Sequence, residues 1–449
     1  MKQLYMEIQP DWAAADASAE QIDEPSTCWV RLYDRGVDHE RTETTRAPQQ
    51  FQLSLASASP GGEPGETQSE SNGHLVTVAE RGRDWIEVLV ARPTSRDEVL
   101  RTVFQAPRVT VDVLDPRGSA QSVPRPQRAK RPPLNTVDVS CDESLVVVGA
   151  ADGACRLWDP TQKAALGGLE GHVMDVTRAR FFPSGKVVLT ASLDMTLRIW
   201  GTERRQCAAV LKGHVGGVQD VEIVGRGRNV LSCASDGAVH LWCCADQQIV
   251  AKWTTETRSA VHSIALLNES PLVSSRAEAH NNQAENEFET AGTLLFAGLD
   301  DGSVLGIDVR AREQVMTIDG RAAIFACKAD QERGIPLLVT GTEDGIVSVW
   351  DVRQISSPLH ALSRSTSAIH RIVIPHDDRH SVWTAHGDGV CSNWRHLLTP
   401  SNVSPFVSTE LTGPEYDPVR DIAVARRSGR LFSACRDGLV REYIPHFMA

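Results

Sequence analysis

Two stretches of the 449-residue sequence set out His, Ser/Thr, Asp and Trp on one grid. In the first, His172 stands 18 residues before Thr190, 22 before Asp194 and 28 before Trp200. In the second, His214, Ser232, Asp236 and Trp242 repeat those intervals. An imidazole, a hydroxyl and a carboxylate are the parts of a nucleophilic triad, in which the ring takes the hydroxyl proton and the carboxylate orients the ring. With an indole added, the same groups can instead close on themselves. The imidazole then bridges carboxylate to hydroxyl, and the indole N–H donates to that hydroxyl. A catalyst needs one such set, whereas a packing device recurs with the unit it holds. The duplication assigns His172, Thr190, Asp194, Trp200, His214, Ser232, Asp236 and Trp242 to a structural network and leaves no catalytic residue among them.

Other chemistry finds no support. The chain lacks the phosphate-cradling G-x-x-x-x-G-K-[ST], the G-x-S-x-G nucleophile turn and the H-E-x-x-H zinc helix. The Gly-rich run at 225–228 is too short for a dinucleotide loop. His376 and His380 flank an Asp-Asp-Arg and read as a polar turn rather than a metal site. The ten Cys form no C-x-x-C pair, and Cys155, Cys233, Cys327 and Cys435 sit in apolar runs, as reduced buried thiols do. No enzyme, cofactor or metal is expected.

The elements that position the grid follow from its repetition. Six residues after Asp152, Asp194, Asp236, Asp344 and Asp388 stands a Trp; after Asp301 and Asp437 stand Ile307 and Tyr443. Gly follows the Asp in every copy except Asp194-Met195. The seven Asp are separated by 42, 42, 65, 43, 44 and 49 residues, and a step of 42–44 is the length of a four-stranded propeller blade. A short apolar run precedes each Asp and an alternating run follows it, the pattern of a hairpin. The expected fold is all-β, a seven-bladed propeller over 134–449. Five of the chain's ten Trp occupy the same slot, so the excess over four Tyr is structural.

Too little chain follows Tyr443 for a fourth strand in the last blade. A closed ring needs a segment from elsewhere, and VTVDVL (109–114) is the candidate, within a 108–133 stretch that continues as a basic, Pro-rich linker. That linker reads as a solvated loop or a nuclear-import signal. Residues 269–292 form a polar insertion between the first two strands of blade 4, on the bottom face, opposite the Asp-Gly turns. Residues 1–107 carry no repeat and read as a small α/β extension. Within it, 11–22 could be helical, and Ser95 with Glu98 makes a capping box that predicts a short helix towards Phe104. Residues 57–73 form a polar tract.

The formal charge is 46 − 58 = −12, and residues 1–107 contribute −8 of it. This balance disfavours general nucleic-acid binding and favours a basic protein partner. No apolar run is long enough to span a membrane, and the N-terminus lacks the features of a secretory signal. Cytoplasmic and nuclear residence and a free monomer are expected. A propeller offers rigid faces for protein docking. The top-face candidates are Glu170, Asp175, Asp300, Glu343, Glu410, Glu415, Asp417 and Arg436.

Gly171-His172…Trp200, Trp158-Asp159 and Trp350-Asp351 resemble the WD40 family over roughly residues 134–445, although blades 4 to 7 lack Gly-His. Longer stretches are more specific. LEGHVMDV and RFFPSGKVVL (within 169–189), GHVGGVQDVEIVGRGRNVLS (213–232), TELTGPEYDPV (409–419) and ACRDGLVREY (434–443) resemble the proteasomal ATPase-associated factor family. Phe104-Gln105-Ala106-Pro107 and the blade 4 insertion also fall where that family has them. The resemblance implies an assembly chaperone of the proteasome's 19S regulatory particle, binding the C-terminal domain of a AAA ATPase subunit of the base. It also implies an acidic propeller surface that meets a basic patch on the ATPase.

A second reading comes from Trp350-Asp351-Val352-Arg353, a W-D-x-R box of the kind that docks cullin ligase substrate receptors on their adaptor. The plain alternative for Arg353 is a strand-end cap. A generic WD40 scaffold is the third reading.

Overall fold

In the computed structural model, the described residues are 2–8, 27–36, 49–54, 69–71, 74–81, 85–92, 95–113, 131–255, 257–268, 270, 286–332, 334–376, 378, 380–398, 404–414 and 416–444. Each repeat turns at its Asp for a local reason. The next residue takes positive φ, 83° at Gly153 and 73° at Gly237, and even Met195 does so at 65°. The Asp carboxylate then accepts the backbone N–H two residues on, at 3.0 Å for Asp152–Ala154, Asp194–Thr196 and Asp236–Ala238. The apolar runs on either side close into antiparallel ladders.

The result is a seven-bladed β-propeller. Blade 1 comprises Leu134–Val139, Val146–Ala150, Cys155–Asp159 and Ala164–Gly168, from channel to rim. Blades 2 to 6 follow over 176–212, 218–254, 261–318, 324–363 and 369–411. Blade 7 takes three strands from 419–443, and Val109–Val111 supplies the fourth, with Val111 opposite Val440. The first and last repeats are thereby held by a strand that precedes both.

The repeated aromatic slot packs each blade on the one before it. Trp200 of blade 2 lies among Val147 and Leu157 of blade 1. Trp242 lies among Leu189 and Leu197 of blade 2, and Trp394 among Val339 and Val349 of blade 5. Trp158 closes the ring against Phe432 and Ala434 of blade 7. Burying one such ring is worth roughly 4–6 kcal/mol of transfer free energy as an upper bound.

The N-terminal extension is β throughout its described residues, which corrects the α/β expectation. Ser95–Gln105, read from its capping box as a helix, is an eleven-residue strand. It pairs antiparallel with Trp85–Arg92 and, at its C-terminal end, in parallel with Phe406–Leu411, the outer strand of blade 6. Pairing on both sides satisfies its backbone more fully than a short helix would, so tertiary context overrides the local cap. With His74–Arg81 and Ser69–Ser71, blade 6 becomes an eight-stranded sheet. Lys2–Ile8, Thr27–Gly36 and Gln49–Ser54 form a separate three-stranded sheet. Residues 11–22 and most of the basic linker and of the 57–73 tract lie outside the described residues.

Across the central channel, charged side chains of the innermost strands meet. Arg178 of blade 2 reaches Asp220 of blade 3 at 2.8 Å and Asp421 of blade 7 at 3.6 Å. Arg371 of blade 6 reaches the same two carboxylates at 3.6 and 3.3 Å. Towards the bottom face the channel widens into a cavity of about 750 Å³ lined by Arg180, Glu222, Lys328 and Arg426, among others. Residues 286–292 of the blade 4 insertion are fastened beside it. Asn229 of blade 3 accepts from Phe288 N at 2.7 Å and donates to Asn286 O at 3.0 Å, while Arg228 lies 4.7 Å over the Phe288 ring.

Candidate partner-binding face

The top face is made by the loops entering each blade and by the Asp turns, so the His networks that fix those loops come first. In blade 2, His172 Nδ1 lies 2.8 Å from Asp194 Oδ2 and Nε2 lies 2.7 Å from Thr190 Oγ1. Trp200 Nε1 donates to the same Oγ1 at 2.8 Å. In blade 3 the distances for His214, Asp236, Ser232 and Trp242 are 3.1, 2.7 and 2.8 Å. Burial lowers the pKa of both rings against the pull of their carboxylates, so each is neutral. Nδ1–H then donates to the carboxylate, and Nε2 accepts the hydroxyl proton. Thr190 and Ser232 are fully buried and occupied from two sides, which is the geometry of a clamp and leaves no approach for a substrate.

Other blades vary the theme. In blade 6, Trp394 donates to Thr384 at 3.0 Å, and the imidazole comes from His386 on the same strand, at 2.8 Å. In blade 1, Val148 fills the hydroxyl slot, and the buried Trp158 N–H has no partner among the described residues.

These clamps hold up a face of mixed character. Glu170, Asp300, Glu343 and Arg436 are exposed on it, and Asp175 and Asp417 are partly exposed. Asp300 is engaged by His262 at 2.9 Å. Glu415 lies outside the described residues. Glu410 does not belong to the open face: it is 2% exposed and accepts from Arg364 Nε at 2.6 Å. The parallel N-terminal strand covers its backbone, and Ile8 lines the same small cavity as Arg364, Asp388 and Glu410. Burial would raise the Asp388 carboxyl, but Arg364 at 2.7 Å prevails and holds it down at about 2.

Sequence reasoning missed the apolar part of this face. Val173 and Val215 are 81% and 79% exposed, with Met174 and Met195 half-exposed beside the same turns and Tyr416 exposed between blades 6 and 7. The signal was present: each Val directly follows a Gly-His whose imidazole is pinned inward, which forces the next side chain out. Acidic residues around exposed Val and Met suit a partner surface that is basic at its rim and apolar at its centre. The W-D-x-R box lies elsewhere. Arg353 spends its guanidinium on Asp351 in a two-point pair at 3.0 and 2.7 Å.

The seven repeats, the Asp turns and the clamped Trp define a WD40 propeller. The family model "WD domain, G-beta repeat" matches residues 128–159, 164–201 and 205–243. Proteasomal ATPase-associated factor 1 of Gallus gallus is 37% identical over 310 residues, covering 69% of this chain and 75% of the relative. The protein of that name from Homo sapiens is 38% identical over 310 residues, with the same coverage. A probable proteasomal ATPase-associated factor 1 from Dictyostelium discoideum is 37% identical over 326 residues, 69% of this chain and 74% of the relative. The chain belongs to the proteasomal ATPase-associated factor 1 family.

Proposed function

We propose that this protein is a non-enzymatic assembly chaperone of the proteasome's 19S regulatory particle, binding the C-terminal domain of a AAA ATPase subunit of the base through the propeller's top face. The observation that carries the proposal is the 37–38% identity over 69% of the chain to relatives named for association with proteasomal ATPases. The acidic and apolar make-up of the top face supports it, because such a surface suits a basic partner with an apolar centre. The free protein is monomeric, binds no nucleic acid, and works in the cytoplasm and nucleus.

Affinity capture of the tagged full-length chain from cell extract, followed by mass spectrometry, tests this reading. Recovery of base ATPases without the 20S core is the expected result. Recovery of a cullin adaptor instead, lost on Arg353→Ala, would replace the chaperone by the receptor reading. The two-point pairing of Arg353 with Asp351 does not favour that outcome.

A further inference from the structure

The innermost strand of every blade carries one residue at its upper end that is only partly buried, between two buried neighbours: Asn135, Thr177, Gln219, His262, Phe325, His370 and Arg420. In all seven blades this residue is the extra one of a β-bulge, skipped by the register of the neighbouring strand. A bulge turns one side chain off the ladder. Seven of them around one axis ring the upper mouth of the channel.

Half of that ring is continuous. The rings of His262 and Phe325 meet edge to face at 4.9 Å, and those of Phe325 and His370 lie nearly parallel at 6.3 Å. Arg420 Nη1 stands 3.5 Å from His370 Nε2. The backbone N–H of Arg436, in the blade 7 turn, bonds Pro418 O at 3.0 Å, which holds that turn beside the start of the strand that carries Arg420.

We propose that this mouth, between blades 5 and 7, binds a carboxylate of a protein partner on Arg420 and Arg436, above the Phe325–His370 pair. The channel arginines Arg178 and Arg371 each meet two aspartates, whereas no ion pair joins Arg420 or Arg436 to a described residue. Burial and the nearby Arg436 charge lower the Arg420 pKa. Burial, with Arg420 beside it, pushes His370 down to about 3, so its neutral ring adds no charge. Two neighbouring cations with no carboxylate partner among the described residues carry a penalty that an anion removes. Asp388, Asp417 and Glu343 on the same face limit the net positive potential, which suits a planar monoanion better than a phosphate dianion. The reading is independent of which protein supplies the carboxylate.

NMR titration of the full-length protein, following the ring signals of Phe325, His262 and His370, tests it with three probes. Acetyl-Gly-Asp-Gly-amide offers a side-chain carboxylate, acetyl-Gly-Gly-Gly a terminal one, and acetyl-Gly-Asn-Gly-amide neither. Saturable shifts at the mouth with the first or second probe, absent with the third, are expected, and the responding probe identifies the source. Arg436→Gln, at an exposed position, should weaken that binding about ten-fold. Arg420→Gln should abolish it, with the melting temperature of each variant checked. Absence of saturable shifts with both carboxylate probes, or equal binding by Arg436→Gln and wild type, overturns the proposal.

Discussion

Phe104 stands directly opposite Glu410 in a parallel strand pair that joins residues more than 300 positions apart. Through it the N-terminal extension continues blade 6, and three residues further on Pro107 leads into the strand that closes blade 7. The Gln105 side-chain amide donates to Ile444 O, and its backbone carbonyl accepts from the Thr412 N–H and hydroxyl, tying this lead-in to both blades. The extension is therefore part of the propeller's edge.

Phe104 is fully buried, so Phe104→Ala should cost about 3–5 kcal/mol in equilibrium unfolding. A loss below about 1 kcal/mol would mean that the extension rests on blade 6 without stabilising it.

Ser232→Ala should cost about 1–3 kcal/mol, because it strands the His214 ring nitrogen and the Trp242 N–H, both buried, without a partner. Ser232→Thr, which keeps the hydroxyl and matches Thr190 of blade 2, should recover most of the loss. Denaturant titration of the two variants decides. Equal destabilisation would assign the effect to packing rather than to the shared hydroxyl.

The repeat was legible because its determinants are local. A turn Asp, a Gly with positive φ and a Trp six residues on all fall within one hairpin, so spacing alone reveals them. What stayed hidden depends on partners far along the chain. Ser95–Gln105 carries a helix cap in its sequence, but its outer-blade partner lies at 406–411. Glu410 looks like any surface acid until Arg364 and the N-terminal strand are placed beside it. The bulged ring from Asn135 to Arg420 is a matter of register, and register is set by the neighbouring strand. Only Val173 and Val215 were within reach of the sequence, from their position after a pinned His.

Stability should fall as pH drops from 6.5 towards 4. Burial pushes His386 down to about 4, and His240 and His370 to about 3. In that window the unfolded chain binds protons that these folded rings refuse, so acid favours unfolding, by up to about 1.4 kcal/mol per pH unit per group. Asp138, raised by burial to about 6, works the other way between 3.8 and 6, and the three imidazoles outweigh it. His386→Gln should flatten the slope measured by urea unfolding at pH 7, 6 and 5. An unchanged slope would remove His386 from the account.

Asn229→Ala should release the end of the blade 4 insertion, since one amide holds both Asn286 and Phe288. Amide hydrogen exchange at 286–290 should rise while blades 5 to 7 stay protected. Unchanged protection at 286–290 would show that the other anchors suffice, namely Arg228 over Phe288, Arg226 N–H to Glu289 and Arg312 to Glu287.

The central claim is that the top face of the propeller binds a proteasomal ATPase. The most direct test is titration of the purified full-length protein against the C-terminal domain of each base ATPase, at low and high salt. One domain should bind, more weakly as salt rises, because exposed charges on both sides are screened. Glu343→Lys should weaken that binding and Val173→Glu with Val215→Glu should abolish it, with folding intact. Binding to none of the domains, or binding untouched by all three substitutions, would contradict the account.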